Sequence, residues 1–349
     1  MQFFDSRQVT TGLVVNKKVN VKREYYETVR AQCNSLFRTG AYFEKVFQGG
    51  GVEPTLENGS LSQLEGKINF IYEVKKPKAS LRPVLRDKNG RPLSKEWKHE
   101  HGLQYERADN RKGNARGVTA IYKKFLAFKH FYANARPKIV CEGKTDIIYL
   151  QSAIHNLVDK YPTLATRKSN EIELSVEFYH NHGRTLEVMD MGVGAPFLAK
   201  LIEKYSDLVD SFKCVGLDEP VIIVVDNDSG PRGKNGVYAK LKKYGINGAD
   251  GSARYYYITK NLYLVPLPKD AAGKDIAFED LFDAGTLSKV HKGKKFNRKN
   301  KIDEEKEFGK VVFANQIVKK HRKEIDFSKF EPLLDIFLDV FKDYSDRLI

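Results

Sequence analysis

The sequence has few of the residues that mark an extracellular or membrane protein. It contains three cysteines among 349 residues, and Cys33, Cys141 and Cys214 show no Cys-x-x-Cys spacing. We therefore expect neither a disulfide framework nor a cysteine-based zinc site. No run of 18 uncharged apolar residues occurs, and the first ten residues lack the pattern of a signal peptide. These absences predict a cytoplasmic protein with no membrane partner.

Acidic residues are scarce in the first part of the chain. Residues 1–140 contain 27 Lys and Arg against 13 Asp and Glu, whereas residues 141–349 contain 33 against 32. Nearly all of the net charge of +15 therefore lies in the first part. Such a basic region predicts a nucleic-acid partner, because each phosphate that a cation neutralises releases counterions. The length is sufficient for two domains.

Carboxylates follow two buried-strand patterns in the second part. One apolar run, 139–141, is followed by Glu142. A second run, 221–225, is followed by Asp226 and Asp228. A strand that is buried on both faces is almost continuously aliphatic, and charged residues appear only where it ends. Carboxylates from two such ends would form an oxygen cage suited to Mg²⁺ or Mn²⁺. The alternative is that the aspartates only cap a turn.

These two elements, EGKTD and then DND about 80 residues later, resemble the Toprim domain of topoisomerases, bacterial primases, small-RNA maturases and OLD-type nucleases. The matching residues are Glu142, Gly143, Asp146, Asp226 and Asp228. Between them, the segment MDMGVG with Gly192 and Gly194 resembles the glycine-bearing turn of the family. The resemblance implies an α/β fold with a Toprim-like parallel sheet over residues 137–349, including a C-terminal extension.

The same resemblance implies a metal-dependent nuclease. Its metal ligands would be Glu142, Asp146, Asp226, Asp228 and Glu279. Glu279 comes from the acidic segment FEDLFD, whose Asp280 and Asp283 are further candidates for a second metal or for outer support. A helix N-terminus with favourable negative charge is the alternative for this segment. The catalytic residues would be Glu142, Asp226, Asp228 and, by loose analogy with a lysine of OLD-type nucleases, Lys310. An ordinary helix lysine is the alternative for Lys310.

The first 75 residues carry a second resemblance. The segment that begins QVTTGLVVNKKVNV resembles the end of a retron reverse transcriptase, where a V-T-G-L-x-V-N element precedes a helical thumb. The chain departs from that pattern by having both Thr10 and Thr11 before Gly12. The later LEGKINFIYEV resembles the next thumb helix, so a mainly helical, thumb-like region is expected over 1–75. The expected nucleic-acid contacts are Thr11, Gly12, Asn16, Lys17, Lys18, Arg23 and, further along, Trp97.

Residues 76–136 are predicted to form a basic connector and a linking helix. Trp97 lies among many Lys and Arg residues and could stack on a base, although a solvated linker is the alternative. The pattern 115–135 favours a helix that ends before Pro137. Further on, 292–301 is a basic stretch expected to be a mobile loop or to touch nucleic acid. The final 25 residues show the spacing of an amphipathic helix that covers the sheet.

No Tyr-x-Asp-Asp palm motif occurs, so this chain alone is not expected to copy RNA into DNA. The two resemblances together imply the Toprim effector part of a retron reverse transcriptase, a nuclease in antiphage defence. Its expected partners are retron RNA, branched RNA-DNA, a nucleic-acid substrate and a polymerase palm in cis or in trans. RNA, including transfer RNA, is preferred over DNA as the target because Tyr255, Tyr256, Tyr257 and Tyr263 flank one strand.

Other functions remain open at this point. The main alternative is a nucleic-acid-binding module whose Toprim domain is inert. A primase or topoisomerase would need a nucleotide-binding domain or a nucleophilic tyrosine, and the sequence suggests neither. A second copy of the same chain is a further candidate partner.

Overall fold

The computed structural model describes residues 9–10, 13–14, 19–46, 55–75, 117–169, 171–227, 230–270, 272–299 and 301–349. The chain divides into two compact units, Met1–Phe125 (unit 1) and Leu126–Ile349 (unit 2). Each unit contains fully buried apolar side chains of its own. Unit 2 carries the described members of the predicted metal site.

Unit 1 is built on two long helices, α1 (Arg23–Thr39) and α2 (Leu61–Lys75), in agreement with the mainly helical region expected over 1–75. Their buried residues are Val29, Cys33, Leu36 and Phe37 on α1 and Leu64, Ile68, Ile71 and Tyr72 on α2. Helix α1 ends at Gly40, whose φ of 81° lies in the left-handed region and whose N–H donates to the Leu36 carbonyl at 2.9 Å. Glycine is the residue that ends a helix in this way at least cost.

Short strands accompany these helices. Strands β1 (Val9–Thr10), β2 (Leu13–Val14) and β3 (Asn20–Val21) form an antiparallel sheet, and β4 (Phe43–Val46) pairs with β5 (Thr55–Asn58) in a hairpin. Lys67 of α2 forms an ion pair with Glu44 of β4. A third helix, α3 (Val118–Ala127), continues as a π-helix at Phe128–Tyr132. The thumb-like assignment of this region stays a prediction.

Unit 2 is a mixed α/β fold around a five-stranded sheet. Its strands are β6 (Lys138–Cys141), β9 (Glu177–Phe178), β10 (Val221–Val225), β11 (Tyr256–Thr259) and β12 (Leu262–Pro266), in the spatial order β11-β12-β10-β6-β9. Neighbouring pairs from β12 to β9 are parallel. The expectation of a parallel sheet was wrong for β11, which pairs antiparallel with β12. Only two residues join β11 to β12, and a parallel crossover needs a much longer connection.

Helices surround this sheet. They are α4 (Lys144–Asn156), α5 (Gly183–Met189), α6 (Ala195–Val209), α7 (Val237–Leu241), α8 (Ala284–Leu287), α9 (Lys310–Val312) and α10 (Glu331–Leu348). Helix α7 continues as a 3-10 turn at Lys242–Tyr244, α9 continues as a π-helix at Phe313–Val318, and further 3-10 turns occur at Phe278–Leu281 and Ser328–Phe330. Among the described residues, no helix combines the length and hydropathy that crossing a membrane requires.

The sheet is buried on both faces. Ile139, Ile222 and Val265 belong to one core cluster with residues of α10, as the amphipathic pattern of the last residues predicted. The alternate strand residues Val140 and Ile223 are equally buried. Burial on both faces explains the continuous aliphatic runs in the sequence. The cysteines are all free, and Cys33 and Cys141 are buried.

The basic stretch 292–301 is not simply a loop. Lys295–Phe296 forms strand β13, which pairs in parallel with β14 (Glu307–Phe308). A second short pair, β7 (Ala165–Lys168) with β8 (Glu171–Leu174), forms an antiparallel hairpin. The expectation of a mobile loop missed β13 because two-residue strands have no detectable periodicity.

Candidate active site

The carboxyl ends of β6 and β10 lie side by side. The parallel register pairs Cys141 with Val224, so Glu142 and Asp226 leave the sheet at the same edge. Ligands of open α/β sheets bind outside the carboxyl ends of the strands. The position of these two carboxylates is therefore where a substrate or an ion would be expected.

The glycine-bearing turn before α6 reaches the Glu142 carboxylate. A Cβ added to Gly194 would lie 3.7 Å from Oε1 of Glu142, which is an ordinary contact distance. Gly194 has a φ of 68° and Gly192 a φ of 84°, so backbone conformation rather than space favours glycine here. The turn thus comes near Glu142 at Gly194, whereas nothing lies within 4 Å of a Cβ added to Gly192.

Asp146 lies in the first turn of α4 and holds the turn after β6. Its carboxylate accepts hydrogen bonds from the Gly143 N–H at 2.8 Å and from the Thr145 hydroxyl at 3.1 Å. Burial raises the pKa of Asp146 to about 6, and the charges of Glu279 and Glu142 add to the rise against these two hydrogen bonds. The Asp146 carboxylate therefore interacts electrostatically with both neighbouring carboxylates.

Asp226 and Asn227 follow β10 and have different environments. Asp226 accepts a hydrogen bond from the Phe278 N–H at 3.2 Å. Asn227 is buried, and its amide donates to the carbonyls of Gly251 at 3.2 Å and Leu267 at 3.1 Å. Asn227 thus fastens the surrounding loops, while Asp226 belongs to the carboxylate edge. Asp228 lies outside the described residues.

Glu279 and Lys310 form an ion pair at the same edge. The Lys310 ammonium donates to Oε2 of Glu279 at 2.9 Å, and the Tyr149 hydroxyl lies 3.4 Å from Oε1. Burial alone would lower the pKa of Lys310, but the hydrogen bond and charge of Glu279 raise it above the ordinary value. The charges of Asp226 and Asp146 raise it further.

The other two acidic residues of the FEDLFD segment have local roles. Asp283 is the N-cap of α8 and accepts from the Thr286 N–H at 2.8 Å and from its hydroxyl at 2.6 Å. Asp280 accepts from the Ala277 N–H at 3.0 Å and forms an ion pair with Arg298. The contacts of these two residues agree with the alternative, in which acidic side chains stabilise the N-terminus of a helix.

Four carboxylates and one lysine therefore interact electrostatically at one edge of the sheet. We call Glu142, Asp146, Asp226 and Glu279, with Lys310, the carboxylate cluster. Within the described ranges, no three Asp, Glu, His or Cys side chains already form a metal-binding group. The donors nevertheless fit a hard divalent cation in kind, because they are carboxylate oxygens whose negative charges repel one another.

Two members of this neighbourhood were not anticipated. Tyr149 reads in the sequence as one more core residue of α4, and only the fold brings its hydroxyl to Glu279. Arg298 lies in the basic stretch, and its guanidinium also contacts the Glu279 carbonyl at 3.4 Å. No motif or spacing in the sequence indicates the contacts of either residue.

The predicted nucleic-acid residues fall largely outside the described residues. These are Thr11, Gly12, Asn16, Lys17, Lys18 and Trp97. Arg23 is described, and its exposed side chain forms an ion pair with Glu27 at 2.7 Å. Whether Arg23 contacts nucleic acid stays a prediction.

The tyrosines on which the preference for RNA depended have contacts within the protein. Tyr263 is fully buried, and its hydroxyl bonds Asp343 at 2.7 Å. The guanidinium of Arg347 lies 4.0 Å from the ring centre of Tyr257. The Tyr256 hydroxyl accepts from the Gly251 N–H at 3.1 Å. These contacts weaken the argument for RNA and leave the substrate open.

Neither the known protein-family models nor the solved structures contain a match to this chain.

Proposed function

We propose that unit 2 is a Toprim-like, metal-dependent phosphodiesterase that cleaves nucleic acid. The carboxylate cluster carries the proposal. It joins the carboxylates that end two adjacent parallel strands, Glu142 and Asp226, with the buried Asp146 and the Glu279–Lys310 ion pair. A purely structural role does not account for so many like charges close together, because neighbouring carboxylates repel one another.

Each residue of the cluster has a proposed role in cleavage. Glu142, Asp226 and Asp228 are the proposed ligands of Mg²⁺ or Mn²⁺, and Glu142 is also a candidate general base. Asp146 holds the turn that carries Glu142 through its bond from the Gly143 N–H. The chemistry that the ion supplies when bound is neutralisation of phosphate charge and activation of a water.

Lys310 would stabilise the negative charge that develops on the phosphodiester oxygens during cleavage. Glu279 and Tyr149 would position it, because Glu279 contacts both side chains. This role differs from the metal-ligand role that the sequence suggested for Glu279. The ion pair of Glu279 with Lys310 favours this positioning role over direct binding of the metal.

The resemblances of the sequence suggest a biological setting for this activity. In a retron-type system, the thumb-like region would hold the chain on retron RNA and branched RNA-DNA, and unit 2 would act as the effector against phage. The polymerase palm would come in cis or in trans. This setting is supported by the basic residues of the first part of the chain, 27 against 13 acidic residues over 1–140.

The same charge distribution favours a second candidate function, a nucleic-acid-binding module in which unit 2 is inert. The two candidates make different demands on the carboxylate cluster. Cleavage requires its charges, whereas binding by the basic first part of the chain does not.

The experiment that tests the first proposal incubates the purified chain with transfer RNA, a single-stranded RNA, a single-stranded DNA or plasmid DNA. Each substrate is tested with Mg²⁺, with Mn²⁺ and with EDTA. We expect cleavage of at least one substrate with either metal and none with EDTA. The substrate that is cleaved decides between RNA and DNA.

A matched variant guards against a contaminating nuclease. Glu142→Gln keeps the size of the side chain and removes its charge, so its preparation should be inactive on every substrate. Cleavage by the variant at the rate of the unchanged chain would contradict the assignment. Absence of cleavage by the unchanged chain, even with an added palm-containing polymerase, would favour the inert module.

A further inference from the structure

A strip of exposed basic residues leads to the carboxylate cluster from the β13 side. Residues 288–302 contain seven Lys and Arg and no Asp or Glu, although 141–349 as a whole is nearly neutral. We define the basic strip as Lys292, Lys295, Arg298 and Lys299, all of which are exposed. Such a concentration of one charge in a balanced unit calls for a partner of opposite charge.

The strip is held firmly against the fold. Lys295 and Phe296 form β13, and alternation turns Lys295 outward while Phe296 packs inward. The Phe296 ring stacks on Phe313 with centroids 4.2 Å apart and planes 14° from parallel. Since Phe313 directly continues the helix that begins at Lys310, the strip and Lys310 are parts of one packed element.

The end of the strip contacts the cluster itself. Arg298 forms an ion pair with Asp280, and it donates to the carbonyl of Glu279 at 3.4 Å. The Glu279 side chain in turn accepts from Lys310. The positive charges therefore run from the turn at Lys292 to the residue that pairs with the proposed catalytic lysine.

The turn at the other end exposes a lysine at a local conformational cost. His291 and Lys294 exchange backbone hydrogen bonds of 3.0 Å across Lys292 and Gly293, which both have positive φ, 51° and 76°. Asn and Gly are the residues that such a two-residue turn favours, so a lysine at the first position is conformationally unfavourable. A lysine here is better explained by its charge than by the turn.

We propose that the basic strip binds the phosphate backbone of the substrate strand and guides it to the carboxylate cluster. Lysine ammonium groups and an arginine guanidinium are the groups that contact phosphates without reading sequence. This inference rests on the proposed phosphodiesterase activity, because the strip ends where the scissile phosphate would bind. An acidic protein partner would not explain why the basic strip ends at the edge of the sheet that carries the carboxylate cluster.

The first test locates the nucleic acid directly. Lysines of the full chain are acetylated in EDTA, with and without a saturating 20-nucleotide single strand of RNA or of DNA, and their reactivity is measured by mass spectrometry. Lys292, Lys295 and Lys299 should become several-fold less reactive with the oligonucleotide. Lys319, Lys320 and Lys323, an equally exposed group elsewhere in unit 2, should not change. Equal reactivity of the strip with and without saturating RNA and DNA would overturn the proposal.

The second test separates charge from structure. A triple variant, Lys292→Asn with Lys295→Gln and Lys299→Gln, removes three charges and places Asn where the turn favours it, so the fold should be kept. Its KM for the cleaved oligonucleotide should rise about tenfold with kcat unchanged, as expected when uniform binding is lost. The control, Lys319→Gln with Lys320→Gln and Lys323→Gln, should keep the original KM.

The outcomes distinguish this inference from the function on which it rests. Protection of the strip without any cleavage would contradict the phosphodiesterase and retain the strip as a binding surface. Cleavage without protection of the strip, or with an unchanged KM in the triple variant, would contradict only the strip.

Discussion

Unit 1 and the carboxylate cluster of unit 2 use charged side chains in opposite ways. In unit 1, the pair Arg23 and Glu27 leaves 83% and 55% of its side chains exposed. In unit 2, Glu279 is only 2% exposed, and Asp146 is buried enough to raise its pKa. Exposed charges act at long range and are screened by salt, whereas buried charges interact strongly with the groups next to them.

The difference suggests a division between affinity and chemistry. The basic first part of the chain would supply most of the attraction for nucleic acid, and the cluster would supply cleavage. If this division holds, variants should lose one property and keep the other.

The largest effect is expected at the proposed metal ligands. Asp226→Asn removes one charge at the end of β10 and keeps the oxygen that accepts from the Phe278 N–H. We expect the cleavage rate to fall by about 10³-fold, a loss of about 4 kcal/mol of transition-state stabilisation. Rates are measured on whichever substrate the unchanged chain cleaves.

Asp283→Asn is the matched control for that substitution. It removes the same charge from a nearby carboxylate whose contacts are those of an N-cap, and Asn is an equally good N-cap. Its cleavage rate should stay within about threefold of the original, because the contacts of the Asp283 carboxylate with Thr286 lie within its own turn. A similar loss in both variants would show that net charge, and not the cluster, controls activity.

The second prediction concerns affinity. A fragment of residues 1–136 should bind structured RNA at least about 100-fold more tightly than a fragment of residues 126–349 at moderate salt, because phosphate neutralisation dominates such binding. The overlap keeps every described element whole in at least one fragment. Filter binding at several salt concentrations should also give the steeper salt dependence for the first fragment. Equal affinities would refute the idea of a tether.

A third prediction uses the buried carboxylate Asp146. Its pKa of about 6 in the folded chain exceeds the ordinary value of about 3.9. The folded state therefore binds more protons between these pH values, so stability falls as pH rises from about 4 to about 6. Above that range, Asp146 destabilises unit 2 by roughly 3 kcal/mol.

Asp146→Asn should remove this cost and keep an oxygen for the Gly143 N–H. Denaturant unfolding in EDTA should show the variant to be more stable than the original chain at pH 8, and the gain should disappear near pH 4. A gain of the same size at both pH values would exclude the ionisation of Asp146 as its cause.

Sequence patterns alone predict part of the fold and of the candidate site. The ends of β6 and β10 were predictable, because buried strands are written as aliphatic runs and Glu142 and Asp226 follow them directly. Helix α10 was predictable from its apolar spacing for the same kind of reason. Each of these features depends on residues that are close in the chain.

What could not be predicted depends on contacts across the chain. Tyr149 and Glu279 are 130 residues apart, and nothing in either segment announces their contact. The antiparallel β11 and the two-residue β13 carry no pattern strong enough to fix direction or existence. The tyrosines near β12 were assigned to RNA from their type, but Asp343 and Arg347 of α10 contact two of them.

The smallest predicted effect tests whether unit 1 unfolds as an entity of its own. Gly40 ends α1 with a φ of 81°, so Gly40→Ala should destabilise unit 1 by about 1 kcal/mol, which is about 4–8 °C for a domain of this size. Gly66 lies on α2 with nothing within 4 Å of an added Cβ, so Gly66→Ala should stabilise unit 1 by about 0.5–1 kcal/mol through helix propensity. Calorimetry of the full chain should show opposite shifts of one transition while the transition of unit 2 stays fixed. Equal shifts of all transitions would mean that the two units unfold together, and the proposed separation of affinity from chemistry would then have no counterpart in stability.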